Sequence, residues 1–368
     1  MKSQVFFYDL RTDARESFTA RLHRLLDKVS IASSIKEKEP VAVKLHFGEK
    51  GNTAFIRPIF LRDIVQKICA CGGRPFLTDA NTLYRGERSE AVSHLRLAIE
   101  HGFGFATIGA PLIIADGLRG NSCQGIQIAG KHFSEVYIGA EIVQADALVS
   151  VAHFKCHELT GFGGTLKNLG MGCAARQGKL SQHSNVSPKV KRKSCTACGR
   201  CITRCPVEAI ALVNEKAKIN LEKCIGCAEC ITICPEGAVQ IKWNETIEIF
   251  QQKMVEYAWG VLKGKAHKSV FLNFITDVSP ACDCYGHADR PIVPDIGIVA
   301  SRDPVAIDQA SADLVNAEQG LENTALKTSH AGGRDKFRDI YPQVDWEIQL
   351  NYASRLGLGK REYELVKI

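Results

Sequence analysis

Long apolar runs are absent from this 368-residue chain. The opening "MKSQVFFYDLRTDAR" has only a short apolar run before Asp9, Arg11 and Asp13, too little for the h-region of a secretory signal. Later stretches such as "GAPLIIADGL" and "AEIVQADALVSVAHF" are broken by charges well short of the roughly 18 to 20 apolar residues of a membrane span. A soluble, cytoplasmic protein with no membrane partner is therefore expected. A strong excess of one charge is missing as well: the formal net charge is +7, too small to argue for nucleic acid. With 45% apolar and 24% charged residues the chain does not have a disordered composition, and its length suffices for two or three units with their own cores.

Nucleotide signatures are lacking too. "GFGFATIG" at 102–109 superficially resembles a dinucleotide fingerprint, but it follows a helical pattern where a strand is required, and its glycines are wrongly spaced. In "GFGGTLKNLGMG", Lys167 is not followed by Ser or Thr, so this is no Walker loop. Without a flavin or nicotinamide motif, electrons for any redox reaction would come from a protein donor.

What the chain has in abundance is cysteine, 15 in all. A small secreted chain would use them as a disulfide framework, but this chain is large and groups eight of them in metal-ligand spacing. "CTACGRCITRCP" at 195–206 and "CIGCAECITICP" at 224–235 superpose at an offset of 29 residues. Each reads Cys-x-x-Cys-x-x-Cys-x-x-x-Cys-Pro, the bacterial two-cluster ferredoxin pattern, in which the fourth cysteine of each run serves the other cluster. One [4Fe-4S] cluster is thus expected on Cys195, Cys198, Cys201 and Cys234, and a second on Cys224, Cys227, Cys230 and Cys205. Pro206 and Pro235 end the runs. The alternative, zinc ribbons, pairs two Cys-x-x-Cys knuckles at longer separation and does not use two complete four-cysteine runs. Two such clusters, each of charge about −2 with its thiolates, would leave the chain near +3.

About 50 residues are too few for a stable apolar core, so metal is expected to help hold this unit, placed at 189–242 as an inserted α+β ferredoxin-like domain. The basic run "KVKRK" (Lys189, Lys191, Arg192, Lys193) before the first ligand either docks an acidic redox partner or is a solvated linker.

The flanks, 1–188 and 243–368, alternate strand-like and helical patterns: "SQVFFYDL", a helix near 15–29, "PVAVKLHF", a helix near 55–70, "RPFLTDA" and a helix near 88–101. "ADALVSVAHF" reads as a buried strand; a helix near 245–263, the strands "KSVFLNFITDV" and "DIGIVAS", a helix at 304–317 and a charged terminal segment follow. The rhythm predicts one discontinuous α/β domain with a mostly parallel sheet flanked by helices.

"VAVKLHFGEKGNTAFIRP", "FLTDANTLYRG", "VAHFKCHELTGFGGTLKNLGMGCAARQGK" and "RPIVPDIGIVASRDPVAIDQAS" resemble the iron–sulfur centre proteins of the family called domain of unknown function 362. The resemblance spans nearly the whole chain. It implies an α/β domain with an inserted two-cluster ferredoxin, found largely in anaerobes and archaea and oxygen-sensitive, with no settled reaction.

The polar residues of these motifs fall just past strand ends, where α/β proteins build sites: Lys44 and His46, then Asp79 and Asn81, then His153, Lys155 and His157. Gly161, Gly163 and Gly164 beside Lys167 either cradle an anion, such as an anionic substrate group, or form a tight turn. Cys156 stands where the family usually has glycine and is a weaker candidate ligand. "PACDCYGHAD" at 280–289 adds Cys282 and Cys284, two apart, so that in an extended segment both thiols share a face. The resemblance implies Cys-Asp-Cys here, with a looser pattern at His287. Three readings stay open: a third metal ion or cluster on Cys282 and Cys284 with Cys173, His153, His157 or His287, a redox-active dithiol, or buried structural cysteines like Cys69, Cys71 and Cys123.

The leading expectation is a reductase-type enzyme. A protein partner would feed electrons through the clusters to a site lined by Lys44, His46, Asp79, His157, Lys167, Cys282 and Cys284. There His157 or Asp79 would move protons and Lys167 would hold an anionic group. The rivals are a dedicated electron carrier docking to a partner enzyme and a protein delivering metal or clusters.

Overall fold

The alternation in the sequence becomes a layered sheet in the computed structural model, which describes residues 2–184 and 188–368. Met1 and residues 185–187, just ahead of the boundary expected at 188/189, lie outside the described residues. Among the described residues the main sheet has eight strands: β1 (Ser3–Tyr8), β2 (Pro40–Lys44), β3 (Arg74–Asp79), β4 (Leu112–Ile114), β5 (Ala147–His153), β6 (Ser269–Ile275), β7 (Gly297–Ser301) and β8 (Tyr363–Lys367). Their spatial order is β8-β1-β7-β6-β5-β2-β3-β4. From β6 across to β4 every pairing is parallel, β7 is antiparallel to both its neighbours, and β8 lies parallel to β1.

The fold is the expected mixed α/β one with a mostly parallel sheet. β4 and β8 were not foreseen. β4 occupies only three residues of "GAPLIIADGL", and β8 lies in the charged terminal segment at the sheet edge, where only half of each side chain needs burial.

Each central strand sends alternate residues to two different cores. Val41 and Val43 face one, with Val270, Leu272 and Phe274; Ala42 faces the other, with Leu148 and Phe271. The first core is covered by α1 (Phe18–Lys28), α2 (Pro58–Ala70) and α3 (Ala91–Glu100), through Leu22, Leu25, Ile64, Ile68 and Ala98. The second is covered by α4 (Thr165–Gly170), α5 (Ile247–Leu262) and α6 (Pro304–Ala317), through Leu166, Val255 and Ile307. Each fully buried Leu, Ile, Val or Phe contributes roughly 1.5–3 kcal/mol, so the two cores dominate the stability of this sheet.

Helix starts follow local chemistry. The Ser17 side chain accepts from Ala20 N ahead of α1, Pro58 opens α2, and Asp303 accepts from Val305 N and Ala306 N, each at 2.9 Å, ahead of α6.

From β2 the chain moves outward through β3 to β4, then returns to the other side of β2 for β5 and β6. The crevice past the carboxyl ends of β2 and β5 is therefore a topological switch point, the usual ligand position in open α/β sheets.

Between α4 and α5 the texture changes. Lys189–Val190 pairs with Val239–Gln240, and Ile210–Val213 with Lys216–Ile219. The second hairpin turns on Asn214 and Glu215, at φ of 49° and 54°, the doubly left-handed turn that matches strand twist. A small apolar cluster here contains Cys201, Cys230, Ile231, Cys234 and Val239, and Leu83 and Leu180 of the larger unit pack into it.

Candidate functional site

Lys44, Asp79 and His153 are the last residues of β2, β3 and β5, and parallel register brings their side chains to one edge of the sheet. A cavity of about 610 Å³ opens there, lined by Lys44, His46, Asp79, His157, Lys167 and Cys284 among others. Five of the residues expected to act together, together with one of the two thiols of 280–289, thus line one cavity. Trp243, just ahead of α5, and Ile247 and Phe250 from its first turn line it as well.

The charges at this edge hold one another. Lys44 Nζ, almost fully buried, lies 2.9 Å from Asp79 Oδ1 and donates to Asn168 Oδ1 at 2.9 Å and to Leu45 O at 2.8 Å. Arg88 reaches the other Asp79 oxygen at 3.3 Å. Burial opposes charge on Asp79, yet Lys44, His46, His94 and Arg88 together hold its carboxyl well below the ordinary carboxylate range. Burial, reinforced by Arg88, holds His46 neutral well below its usual pKa; burial likewise pulls His94 down to about 3. Asn168, Arg88 and His94 carry no signal as isolated letters in the sequence. Only the packing shows them as partners of this ion pair.

Residues 280–289 form a turn, not an extended strand: Tyr285 N donates to Cys282 O at 3.0 Å. The two thiols still meet, because the turn folds Cys284 back over Cys282 and the Cys284 N–H points at Cys282 Sγ at 3.4 Å. Cys282 is fully buried, and Lys167 Nζ donates to its sulfur at 3.1 Å. The Cys284 thiol, the Lys167 ammonium and His157 overcome burial and hold the Cys282 thiol well below its usual pKa; the same contact and burial push Cys284 up. Lys167 in turn keeps its proton in spite of burial because the two sulfurs face it. His157 Nδ1 meets Leu159 N at 3.2 Å and Thr160 Oγ1 at 3.0 Å, and its Nε2 lies 3.6 Å from Glu158 Oε2. The intervening Asp283 turns the other way, to His153 Nδ1 at 2.8 Å and Lys155 Nζ at 3.1 Å.

A second loop clamps this turn. Glu49 N donates to Asp283 O, and Asn52 Nδ2 to Tyr285 O and His287 O. Gly51, at φ +89°, lies so close that a Cβ there would stand 2.6 Å from Gly286 O.

The glycine-rich turn binds an anion of its own chain. Thr165 N and Leu166 N donate to the two Asp308 oxygens at 2.7 and 2.8 Å, and a Cβ on Gly164 would meet Asp308 Oδ1 at 2.3 Å. These amides are therefore taken, and Lys167 points to sulfur.

Other expected residues lie apart from the thiol pair. Cys173 is buried with its thiol on Asn168 O at 3.7 Å, pushed up to about 11 chiefly by burial. His287 is exposed, and Cys156 sits in the apolar core, where burial pushes its thiol up. Among the described residues no three His, Cys, Asp or Glu side chains converge on one point as a single metal ion requires.

The eight repeat cysteines sort into two sets around two small cavities. Cys195, Cys198, Cys201 and Cys234 line one, and Cys205, Cys224, Cys227 and Cys230 the other. None of the eight is in a disulfide. The loops are alike in backbone: Ala197 and Gly199 are left-handed in the first, Gly226 and Ala228 in the second, so the glycine changes place while the conformation is kept. Amides point at the sulfurs, Ala209 N to Cys205 and Ala238 N to Cys234, each at 3.1 Å, and Ala217 N to Cys195 at 3.4 Å.

One segment, 83–85, bridges the two regions. Leu83 lines the large cavity and belongs to the same apolar cluster as Cys201 and Cys234, Tyr84 Oη donates to Cys284 O at 2.9 Å, and Arg85 Nη1 donates to Pro235 O at 2.7 Å. "TLYRG" was visible as part of a motif, but nothing in its letters signalled this bridge.

Residues 41–313 match the family described as Domain of unknown function (DUF362). The chain belongs to this family. No curated protein matches this DUF362 chain. Among solved structures it is similar to the lactate racemase apoprotein from Thermoanaerobacterium thermosaccharolyticum, at 14% identity and a TM-score of 0.38, over 69% of this chain and 49% of that one. It is also similar to a protein from Thermotoga maritima, at 10% identity and a TM-score of 0.37, over 92% of this chain and 58% of that one. The chain thus spans about half the length of these structures, and neither likeness carries an argument about chemistry.

Proposed function

We propose that this is an iron–sulfur redox protein in which residues 189–242 are a ferredoxin-like insert holding two [4Fe-4S] clusters. The insert would pass electrons to the cavity of the α/β unit formed by 1–188 and 243–368, where a reductase-type reaction takes place. The observation that supports this reading most is the sorting of eight cysteines into two sets of four, each around its own cavity with backbone N–H groups aimed at sulfur. Thiolates of a cube each take a separate iron, so a donor set that surrounds a space, and does not meet at a point, suits such a cluster. Cys195, Cys198, Cys201 and Cys234 would hold one and Cys205, Cys224, Cys227 and Cys230 the other; the groups would supply one-electron transfer.

The chain's own residues supply the rest. Segment 83–85 ties the insert to the cavity, Lys44 and Arg88 hold Asp79 charged, and His157 lines the reaction space. The electron donor is a protein, and the exposed Lys189, Lys191, Arg192 and Lys193 beside the insert suit an acidic one. That basic edge also fits the second reading, a dedicated electron carrier, whose complex would weaken steeply with salt.

The test is anaerobic analysis of the purified chain for iron and acid-labile sulfide, with EPR after reduction. About eight irons per chain and two interacting reduced signals are expected. Chelation of that iron should open 189–242 to protease while the main sheet survives. Zinc in place of iron, or no metal, would overturn the reading. Turnover of a small molecule by the reduced protein separates the enzyme from the carrier.

A further inference from the structure

We infer that Cys282 and Cys284 are a dithiol/disulfide pair, reduced through the insert, that acts on small-molecule disulfides bearing an anionic group. This inference rests on the electron-transfer reading above and names what the cavity would do with the electrons.

Four observations carry it. The turn at 282–285 brings two thiols together, Cys284 in the lining of a 610 Å³ cavity and Cys282 fully buried beside it, and among the described residues no three His, Cys, Asp or Glu side chains converge there as a single metal ion requires. Lys167 Nζ stands 3.1 Å from Cys282 Sγ, where an ammonium stabilises a thiolate and so a nucleophile. Gly163 makes room for that lysine, since a Cβ there would lie 3.1 Å from Lys167 Cδ. Finally, Pro235 O, which directly follows the ligand Cys234, accepts from Arg85, and the adjacent Tyr84 donates to the Cys284 carbonyl. Two hydrogen bonds and one dipeptide thus join the edge of a cluster loop to the thiol pair.

The substrate class follows from the lining. Lys179, buried in the cavity, donates to Ala174 O and pairs with no carboxylate among the described residues, so its remaining N–H groups are free for an anion on the ligand. Leu83, Leu159, Met171 and Phe250 provide apolar surface for the ligand's body.

The chemistry balances as follows. Cys284, the thiol that lines the cavity, passes its proton to the Cys282 thiolate beside it and attacks one sulfur of the substrate disulfide; a Cys284–substrate S–S bond forms, the substrate S–S bond breaks, and the first thiolate leaves and takes a proton. Cys282 gives up the proton it received and attacks Cys284 Sγ, which releases the second half of the substrate as a thiolate and closes the Cys282–Cys284 disulfide. Two electrons from a low-potential one-electron donor, delivered singly through the insert, and one proton restore the Cys282 thiolate and Cys284 thiol. His157, which lines the cavity and lies beside Cys282, is the proton relay. The net change is one disulfide, two electrons and two protons to two thiols.

Lipoate, a small cyclic disulfide with a carboxylate, is the probe. The full-length, iron-loaded protein is reduced anaerobically with deazaflavin and light, mixed with lipoate, quenched in acid and alkylated in denaturant. The 282–284 peptide should carry two alkyl groups before lipoate and none after, with dihydrolipoate formed, and a second illumination should restore both labels. Cys282→Ser and Cys284→Ser should lose dihydrolipoate formation with the cluster EPR signals intact, whereas Cys69→Ser should behave as the parent. If both thiols stay alkylatable through the cycle while the iron is present and reducible, or if the serine variants turn lipoate over, the inference is wrong and the electron-transfer reading stands. A protein without iron or sulfide overturns both.

Discussion

Lys167 shows how much one position decides at the scale of single residues. It is one letter in a glycine-rich stretch, yet its ammonium stands 3.1 Å from a buried sulfur and, after the Cys284 thiol, helps to hold that group well below its usual pKa. Lys167→Met removes that charge and leaves the Cys284 hydrogen bond, so the Cys282 thiol should titrate at higher pH. The midpoint of the pH dependence of thiol reactivity is expected to move upward; an unmoved midpoint would mean the thiolate is held by Cys284 and His157 alone. The Lys44–Asp79 pair obeys the same rule. Breaking a buried pair costs about 3–5 kcal/mol, because the surviving charge has no water to turn to.

Two elements meet backbone to backbone where α4 crosses α5. A Cβ on Gly170 would stand 2.1 Å from Met254 O, which cannot move without shifting the helix. Gly170→Ala should therefore lower stability by about 1–3 kcal/mol in spite of its better helix propensity, read as a fall in thermal midpoint. An unchanged or raised midpoint would show that α4 relaxes freely. Since α4 carries Lys167 and Asn168, the same change should also slow the thiol chemistry. The turn at 282–285 teaches a related lesson. An extended reading of "CDC" put both thiols on one face by alternation, and the structure brings them together by folding the segment back, with Gly51 and Gly286 admitting the loop that clamps it.

Over the whole molecule the buried histidines and carboxylates set the response to acid. His94 and His183 are pulled down to about 3 chiefly by burial, whereas in the unfolded chain they titrate near 6.5. At these histidines the unfolded state binds more protons between these values, which lowers stability as pH drops from about 6.5 toward about 3, offset in part between about 6 and 4 by Asp116 and Asp308, whose carboxyls burial pushes up to about 6. Asp79 and Asp283, depressed by their cationic neighbours, contribute fully above about 4 and lose that contribution as pH falls further. A denaturant midpoint lower at pH about 5 than at about 7.5 is expected; a flat profile would contradict the burial of these groups. By itself the sequence determined the alternation of strands and helices, the strand-end position of Lys44, Asp79 and His153, and the two four-cysteine runs, because these are local periodicities and spacings carried by neighbouring residues. Only the tertiary structure decided which thiols share a cavity, that the glycine-rich turn spends its amides on Asp308, that Cys173 and His287 stand apart from Cys282, and that segment 83–85 bridges the insert and the cavity. Each of these pairs residues far apart in the chain, and such contacts are set by how the sheet and its helices pack together.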